Sequence, residues 1–398
     1  MMRVLSVLHY PIYGGPHNRN AQVSVILRAK GVESILLLPE EAVDAAARVE
    51  AAGAKTLRMP LARLRKTLRP SEHLRFVSSF FQNVREIQSV IRKYRIDVVV
   101  VNGLMNPHAV VAAKRETVPV VWQLLDSFPP SFVRRIMRPL VNRYANVVMC
   151  TGFNVATQHL GTLRTIKPLI LFYPPVDLRR FDPQLSIRQL AREELGFDQG
   201  NLVIGNIANV NPMKNHMTFI RAAVLVKHAF PQARFVIFGQ TYENHQQYAK
   251  RLFAEATNLG LNIGKDLQIV DPGMRVAELA QALDIYWLTS KPRSEGISTA
   301  AEEAMALGLP VISTETGSMS EIVQHGKTGF MVPPYDVDAI SRYTLRLADD
   351  AVLRQKLGNA ARQFSLDHFG AERCAMLHLV AYRAALGDKQ ALHCLQTL

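Results

Sequence analysis

An α/β protein made of two doubly wound parallel sheets is the fold class that these 398 residues predict. Three observations lead there. Short apolar runs alternate with helical patterns along the whole chain. Many of the runs are Val/Ile-rich without polar alternation, as strands buried on both faces are. A Pro-rich break at Tyr173 to Pro183 divides the runs into two series. Two Rossmann-like domains facing a cleft are therefore expected, over 1–178 and 179–366, with a closing segment at 367–398.

In the first series the strand-like runs are Arg3 to Leu8, Ser34 to Leu38, Asp97 to Val101, Pro119 to Leu124, Asn146 to Cys150 and Pro168 to Phe172. In the second they are Leu202 to Ile207, Arg234 to Phe238, Leu267 to Val270, Asp284 to Leu288, Pro310 to Ser313 and Gly329 to Val332. A mainly helical segment is expected from about Asp367 to Leu386, with Gly387 as its stop. No tandem repeat or low-complexity linker is visible.

Composition narrows the class. Hydrophobic content of 48% with 20% charged residues is ordinary for a soluble globular protein. No run reaches the roughly 18 apolar residues of a membrane span. The opening MMRVLSVLHY reads as a first strand and turns polar too soon for a signal peptide. Cys150, Cys374 and Cys394 lack a CxxC spacing, so reduced thiols in a cytoplasm are expected.

The net charge of +14 is unevenly placed. Residues 1–180 hold 26 Lys and Arg against 11 Asp and Glu, and the remainder is close to neutral. Much of the excess lies in Arg63, Arg65, Lys66, Arg69, Arg75, Arg85, Arg92, Lys93 and Arg95, with a second group at Arg134, Arg135 and Arg138. Leu61, Leu64, Leu68, Phe76, Phe80, Phe81, Phe132 and Ile136 are interleaved with them. An anionic lipid surface would attract such a mixture, and a solvated basic face would look the same. No nucleic-acid motif appears, so no nucleic-acid partner is expected.

The most informative words are SEGISTAAEEAMALGLPVIST, from Ser294 to Thr314. Glu295 sits in a Gly-containing turn and Glu303 in a short helix ending at Gly308, before an apolar strand opened by Pro310. Ser298 is the expected N-cap and Thr299 begins the first turn. A helix start beside a glycine turn offers unpaired amides and a positive dipole end to an anion. Carboxylates flanking such a site accept from hydroxyl groups, and a phosphate with hydroxyls on both sides describes a nucleotide-sugar. On spacing alone Glu303 reads equally as an ordinary acid near a helix start. Glu302, about 100° around the axis, is expected as a solvated first-turn acid.

Elsewhere, Gly14 and Gly15 follow the first strand and precede a helix, where backbone can approach a phosphate or simply turn. The third glycine of a dinucleotide fingerprint is absent. Asp336-Val337-Asp338 follows two prolines and opens a helix, so Asp336 reads as an N-cap and the DxD as no metal site. No other metal cluster is visible, and neither a metal nor a cofactor is expected.

Glu295-Gly296, the second glutamate at Glu303 and the following EAMALGLPVIST resemble family 4 glycosyltransferases, retaining enzymes of the GT-B fold. ANVNPMKNH (Ala208 to His216) resembles that family's donor-phosphate loop. YPPVDLRRFDP (Tyr173 to Pro183), LDIYWLTS (Leu283 to Ser290) and GSMSEIVQHGKTGFMVPPYDVDAI (Gly317 to Ile340) resemble its linker and the segments on either side of the acidic motif. The resemblance is dense in the second half and looser in the first.

The resemblance implies a retaining, metal-independent hexosyltransferase. A UDP-sugar is favoured as donor over GDP-mannose. The acceptor would be lipid-linked or a saccharide, in polysaccharide or glycolipid assembly, at or near the cytoplasmic membrane face. It gives Glu303 the ribose hydroxyls and Glu295 the donor sugar. Gly296, Ile297, Ser298 and Thr299 fall to sugar or phosphate, Lys214 to the diphosphate, and Gly14-Gly15 beneath it. In that family the last helix packs back on the first domain. Two departures stand out: Asn209 occupies the place of an Arg five residues before Lys214, where as a donor-binding candidate it can still donate a hydrogen bond but carries no charge, and Leu125 that of a His. Asp126 is then the candidate proton acceptor, or a cap, and His17 and His108 are acceptor-side candidates. A non-catalytic nucleotide-binding protein or a nucleotide-sugar epimerase is the alternative.

Overall fold

The computed structural model describes residues 1–61, 70–161 and 167–396. Arg63, Leu64, Arg65, Lys66, Leu68 and Arg69 of the basic stretch lie outside them, as do the side chains of Arg75 and Cys394. The chain forms two compact units: Met1–Pro175 together with the chain from Ala371 onward, and Val176–Gly370.

In the first unit strands and helices alternate: β1 (Met2–Val7), α1 (Gly15–Ala29), β2 (Val32–Pro39), α2 (Val43–Ala51), β3 (Lys55–Met59), α3 (Pro70–Tyr94), β4 (Val98–Asn102), α4 (Pro107–Arg115), β5 (Val120–Leu124), α5 (Ser131–Tyr144), β6 (Val147–Cys150), α6 (Phe153–Leu160) and β7 (Leu169–Leu171). All seven strands are parallel, in the order β3-β2-β1-β4-β5-β6-β7. Val98 to Val101 are wholly buried, as a central parallel strand requires. One face of the sheet packs Trp122, Val99 and Val101 against Ile87 and Ala112; the other packs Val98, Val100 and Met149 against Leu379 and Tyr382.

The second unit runs α7 (Leu185–Glu194), β8 (Leu202–Ile207), α8 (His216–Ala229), β9 (Ala233–Phe238), α9 (Gln246–Asn258), β10 (Leu267–Val270), α10 (Val276–Leu279), β11 (Ile285–Leu288), α11 (Thr299–Ala306), β12 (Val311–Thr314), α12 (Met319–Ile322), β13 (Gly329–Val332), α13 (Val337–Asp349) and α14 (Ala351–His368). Its six parallel strands are ordered β10-β9-β8-β11-β12-β13. Trp287, Phe219 and Phe235 stack edge-on and tilted at its centre.

In both sheets the order in which strands are added reverses once, between β1 and β4 and between β8 and β11. At such a switch point the loops leaving the strand ends part and leave a crevice for ligand. The candidate residues fall on these loops.

Two local expectations are corrected. The strand β3 has no counterpart among the expected runs, because KTLRM is a half-exposed edge strand whose polar residues hide the pattern. The closing helix does not begin at about Asp367: that residue lies in the last turn of α14, which ends at His368, the helix is interrupted at Phe369-Gly370, and α15 (Ala371–Ala385) starts afresh. Gly387, at φ +98°, lies just past its end. In its own unit α15 packs on α1, β5 and β6.

Candidate functional site

In the second unit the site is built on the loops that follow β8 and β11. Asn211 shapes the first. Its Oδ1 accepts from the amides of Met213 and Lys214, at 2.9 and 3.2 Å, and its Nδ2 donates to the Asn209 carbonyl. Asn215, left-handed at φ 53°, then starts α8. The loop is pinned to its neighbour by Thr289 Oγ1 donating to the Lys214 carbonyl and by the Lys291 amide donating to the Met213 carbonyl.

Across that seam Lys214 Nζ donates to Glu295 Oε1 at 2.7 Å, and Ser290 Oγ donates to the same oxygen at 2.7 Å. Glu295 is buried and Lys214 half-buried. A buried carboxylate is tolerated because it is paired and hydrogen-bonded. Beneath them His216 is fully buried against Asn206 Oδ1, and burial, helped by the Lys214 charge, pushes it down to about 3. It is a neutral packing histidine.

The turn after Glu295 is held by the loop before α12. The Ser318 amide donates to the Gly296 carbonyl at 2.7 Å. Gly317 has φ +54°, and a Cβ there would stand 2.2 Å from the Gly296 carbonyl oxygen. Only glycine fits. This contact fixes Gly296, Ile297 and Ser298 at the start of α11. Ser298 occupies the expected N-cap position, and its hydroxyl makes no capping bond. The first amides of α11 have no intrahelical acceptor.

Thr299 opens α11 and Glu303 lies one turn in, partly exposed. Burial raises its carboxyl to about 8, with Arg180 opposing. Glu302 corrects the expectation of a solvated acid. It is fully buried, neither carboxylate oxygen has a partner among the described residues, and burial and then Glu303 push it well above the carboxylate range. The eight-residue helix packs against α14 as well as β11 and β12, and Ala301, Glu302, Ala304, Met305 and Ala306 are all buried.

Asn209 does not take up the role of a missing cation. Its Oδ1 accepts from the Gln240 amide at 3.0 Å, joining the ends of β8 and β9. Asp336 caps α13 by accepting from the Ala339 amide at 2.8 Å, so the DxD is a helix start.

The remaining candidates form a separate group on the first unit, at the same end of its sheet. Gly14 and Gly15 stand at the start of α1. His17 is buried one turn in; its Nε2 donates to the Tyr10 carbonyl at 3.0 Å, which leaves Nδ1 as the acceptor, and burial lowers it to about 4. His108, on α4, is also buried and lowered to about 4, edge-on to Phe80, with no partner for either ring nitrogen among the described residues. Asp126 Oδ1 accepts from the Phe128 amide at 3.0 Å, forming the turn before α5, while Leu125 is buried. Gln123, two residues earlier, accepts from the buried Arg19, which also donates to Asn102.

Ser290, Asn211, Arg180 and Gly317 escaped the sequence reading. Asn211 alone had a local signal, the Asn-Pro turn; the others act through contacts between loops distant in sequence.

Comparison with known proteins agrees with this layout. Residues 187–364 match the family described as glycosyl transferases group 1, and residues 14–157 match the glycosyl transferase 4-like domain. D-inositol 3-phosphate glycosyltransferase of Pseudarthrobacter chlorophenolicus is 29% identical over 55% of this chain and 51% of its own. A GDP-mannose-dependent monoacylated alpha-(1-6)-phosphatidylinositol monomannoside mannosyltransferase of Corynebacterium glutamicum is 31% identical over 47% of this chain and 49% of its own. The chain thus spans about half the length of the curated relatives it matches. Among solved structures, a glycosyltransferase from Rickettsia africae superposes with a TM-score of 0.80 at 18% identity over 98% of this chain and 99% of that one. Anabaena HepE in complex with UDP and glucose gives 0.78 at 19% over the whole of both. At that identity the likeness concerns the fold.

Proposed function

Given that the chain belongs to the family 4-like, group 1 glycosyltransferases of GT-B fold, we propose that it transfers a hexose from a nucleoside-diphosphate sugar to an acceptor hydroxyl. The observation that carries this is the Lys214–Glu295 pair at the switch point of the second sheet, with Glu303 in the first turns of α11, the helix that follows Glu295.

The chemistry follows from charge. Breaking the bond between the anomeric carbon and the phosphate oxygen leaves negative charge on the diphosphate. Lys214 and the start of α11 stabilise charge where it develops. Glu303 accepts from the ribose hydroxyls and Glu295 from the sugar hydroxyls. In the retaining reading, the acceptor oxygen bonds to the anomeric carbon on the face the phosphate leaves. The departing phosphate oxygen takes the acceptor proton, so no strong protein base is needed. Asp126, engaged in its own turn, is then dispensable as a base. No step in this scheme is assigned to a metal ion.

A UDP-hexose is the favoured donor. GDP-mannose is the second to test, because two matched relatives are described as GDP-mannose-dependent. Several of the matched relatives are described by inositol-containing phosphorylated acceptors, which supports an anionic or lipid-linked acceptor. A thermal-shift panel of UDP- and GDP-sugars, followed by hydrolysis of those that bind, tests the reading. One donor class should raise the melting temperature by mass action and release its nucleotide slowly. If no nucleotide-sugar shifts the melt and none is turned over, the reading fails. A non-catalytic nucleotide-binding protein is favoured only by Asn209, whose oxygen serves Gln240. Donor binding without release or transfer would select it.

A further inference from the structure

The helix α5 carries an apolar stripe that the described residues leave exposed. Phe132, Ile136 and Leu140 recur every four residues along one side and are 63%, 67% and 40% exposed. Phe128, in the turn before the helix, and Phe153, at the start of the adjoining α6, are also exposed. Large apolar side chains exposed singly are normal on a protein surface, but a stripe on one helix is not.

The inner side of α5 is held firmly, so the outward aim is fixed. Val141 is in the core and Met137 packs against it. Arg134 is buried with its guanidinium donating to the carbonyls of Ser127 and Pro129, at 2.6 and 3.0 Å. Arg138 Nε donates to the His159 carbonyl at 3.1 Å.

The rim of the stripe is cationic. Arg135 and Arg143 lie on the neighbouring outward row, with Pro139 between them. At the far end of the helix Arg143 and Lys167 stand close enough to Lys114 to depress its ammonium further than burial already does. No Asp or Glu occurs anywhere from Ser127 to Val176, a stretch of 50 residues. A second copy of this chain would meet its own arginines if it docked here by the usual two-fold, isologous contact. An acidic protein groove would satisfy the rim, but three side chains in a row are a narrow footprint for a stable protein contact. Apolar side chains flanked by arginines on a helix lying flat are what an anionic lipid surface takes up.

We infer that the outward face of α5 docks this protein on an anionic lipid bilayer, with Phe132, Ile136 and Leu140 entering the headgroup boundary and Arg135 and Arg143 meeting lipid phosphates. Among the described residues no helix is long and apolar enough to cross a membrane, so this is attachment to one leaflet. The inference gives the acceptor side of the proposed function a place to be found, and it rests on that reading only for its purpose, not for the binding itself.

The test is flotation of the 398-residue chain with vesicles of phosphatidylcholine alone and with vesicles that also hold about 30 mol% phosphatidylglycerol, whose negative surface attracts basic segments. No nucleotide-sugar is present. At low salt the wild type should bind the anionic vesicles at least tenfold more tightly than the neutral ones, and raised salt should weaken this. Phe132→Ser with Ile136→Ser, and separately Arg135→Glu with Arg143→Glu, should each lower anionic binding about tenfold. Both pairs are exposed, so melting and donor-induced thermal shift should match the wild type. Equal binding to both vesicles, or anionic binding unchanged in both double variants, overturns the inference. So does a wild-type dimer in sedimentation that the α5 variants abolish, since the face would then belong to a second copy. Loss of donor shift in the wild type would instead count against the proposed function and leave the vesicle result standing.

Discussion

Lys214 Nζ lies 2.7 Å from Glu295 Oε1, and this bond joins the loops that leave the switch point of the second sheet. Each group has a reason to be there without ligand. The carboxylate is buried and requires a cation; the ammonium is half-exposed and keeps one side toward solvent. An arriving diphosphate would share Lys214 with Glu295. The same bond that neutralises the buried carboxylate thus holds the lysine where a phosphate would need it.

Lys214→Ala should lower turnover about 10²- to 10³-fold, the loss typical of removing one preorganised stabiliser of developing charge. The protein should still melt cooperatively, because Ser290 continues to donate to Glu295. Steady-state release of nucleotide, read beside a melting curve, checks both halves. Full activity in the variant would remove Lys214 from the site.

Glu303→Ala should weaken nucleotide binding and turnover together, since its proposed contact is to the ribose and not to the reacting atoms. Titration calorimetry with the nucleotide diphosphate alone isolates that contact. Unchanged affinity would assign Glu303 to the helix start and nothing more.

The pH dependence of stability should carry the mark of α11. Folding raises the carboxyls of Glu302 and Glu303 above the ordinary value of 4.5. Between that value and the raised one, the folded chain holds more protons than the unfolded chain. Stability from these groups is therefore fully present below 4.5 and is lost as pH rises, for Glu303 through about 8. Glu302→Leu removes a buried carboxyl with no described partner and should stabilise on the order of 1–3 kcal/mol at pH 8 and less at pH 5. Melting curves at the two pH values decide. An equal shift at both would contradict the assignment.

Gly317→Ala should both destabilise and disable. The positive φ alone costs about 1 kcal/mol, and the clash with the Gly296 carbonyl has to be relieved by moving the 295–298 turn. Donor-induced thermal shift should fall even at temperatures where the variant is folded. An unchanged shift would mean that the turn does not bear on the donor.

The parallel sheets were legible because buried strands write continuous Val/Ile runs; Leu202–Ile207, Leu267–Val270 and Gly329–Val332 stand where the sequence placed them. Lys55–Met59 was not, since an edge strand keeps polar residues on its exposed side. Within the site, the acidic spacing and the Lys loop are local patterns and could be read. The Gly317–Gly296 contact and the Ser290 bond to Glu295 depend on which loops the sheet order brings together, which no local pattern records. Glu302 was misread for a related reason. Its polarity says surface, and only the packing of α11 among elements distant in sequence says core.

The central claim is that the loops after β8 and β11 hold a nucleoside diphosphate. The most direct measurement is a crystal structure of the chain soaked with UDP-hexose. The account predicts the diphosphate within hydrogen-bonding distance of Lys214 and the ribose hydroxyls on the Glu303 carboxylate. A well-ordered nucleotide bound away from both residues would contradict it.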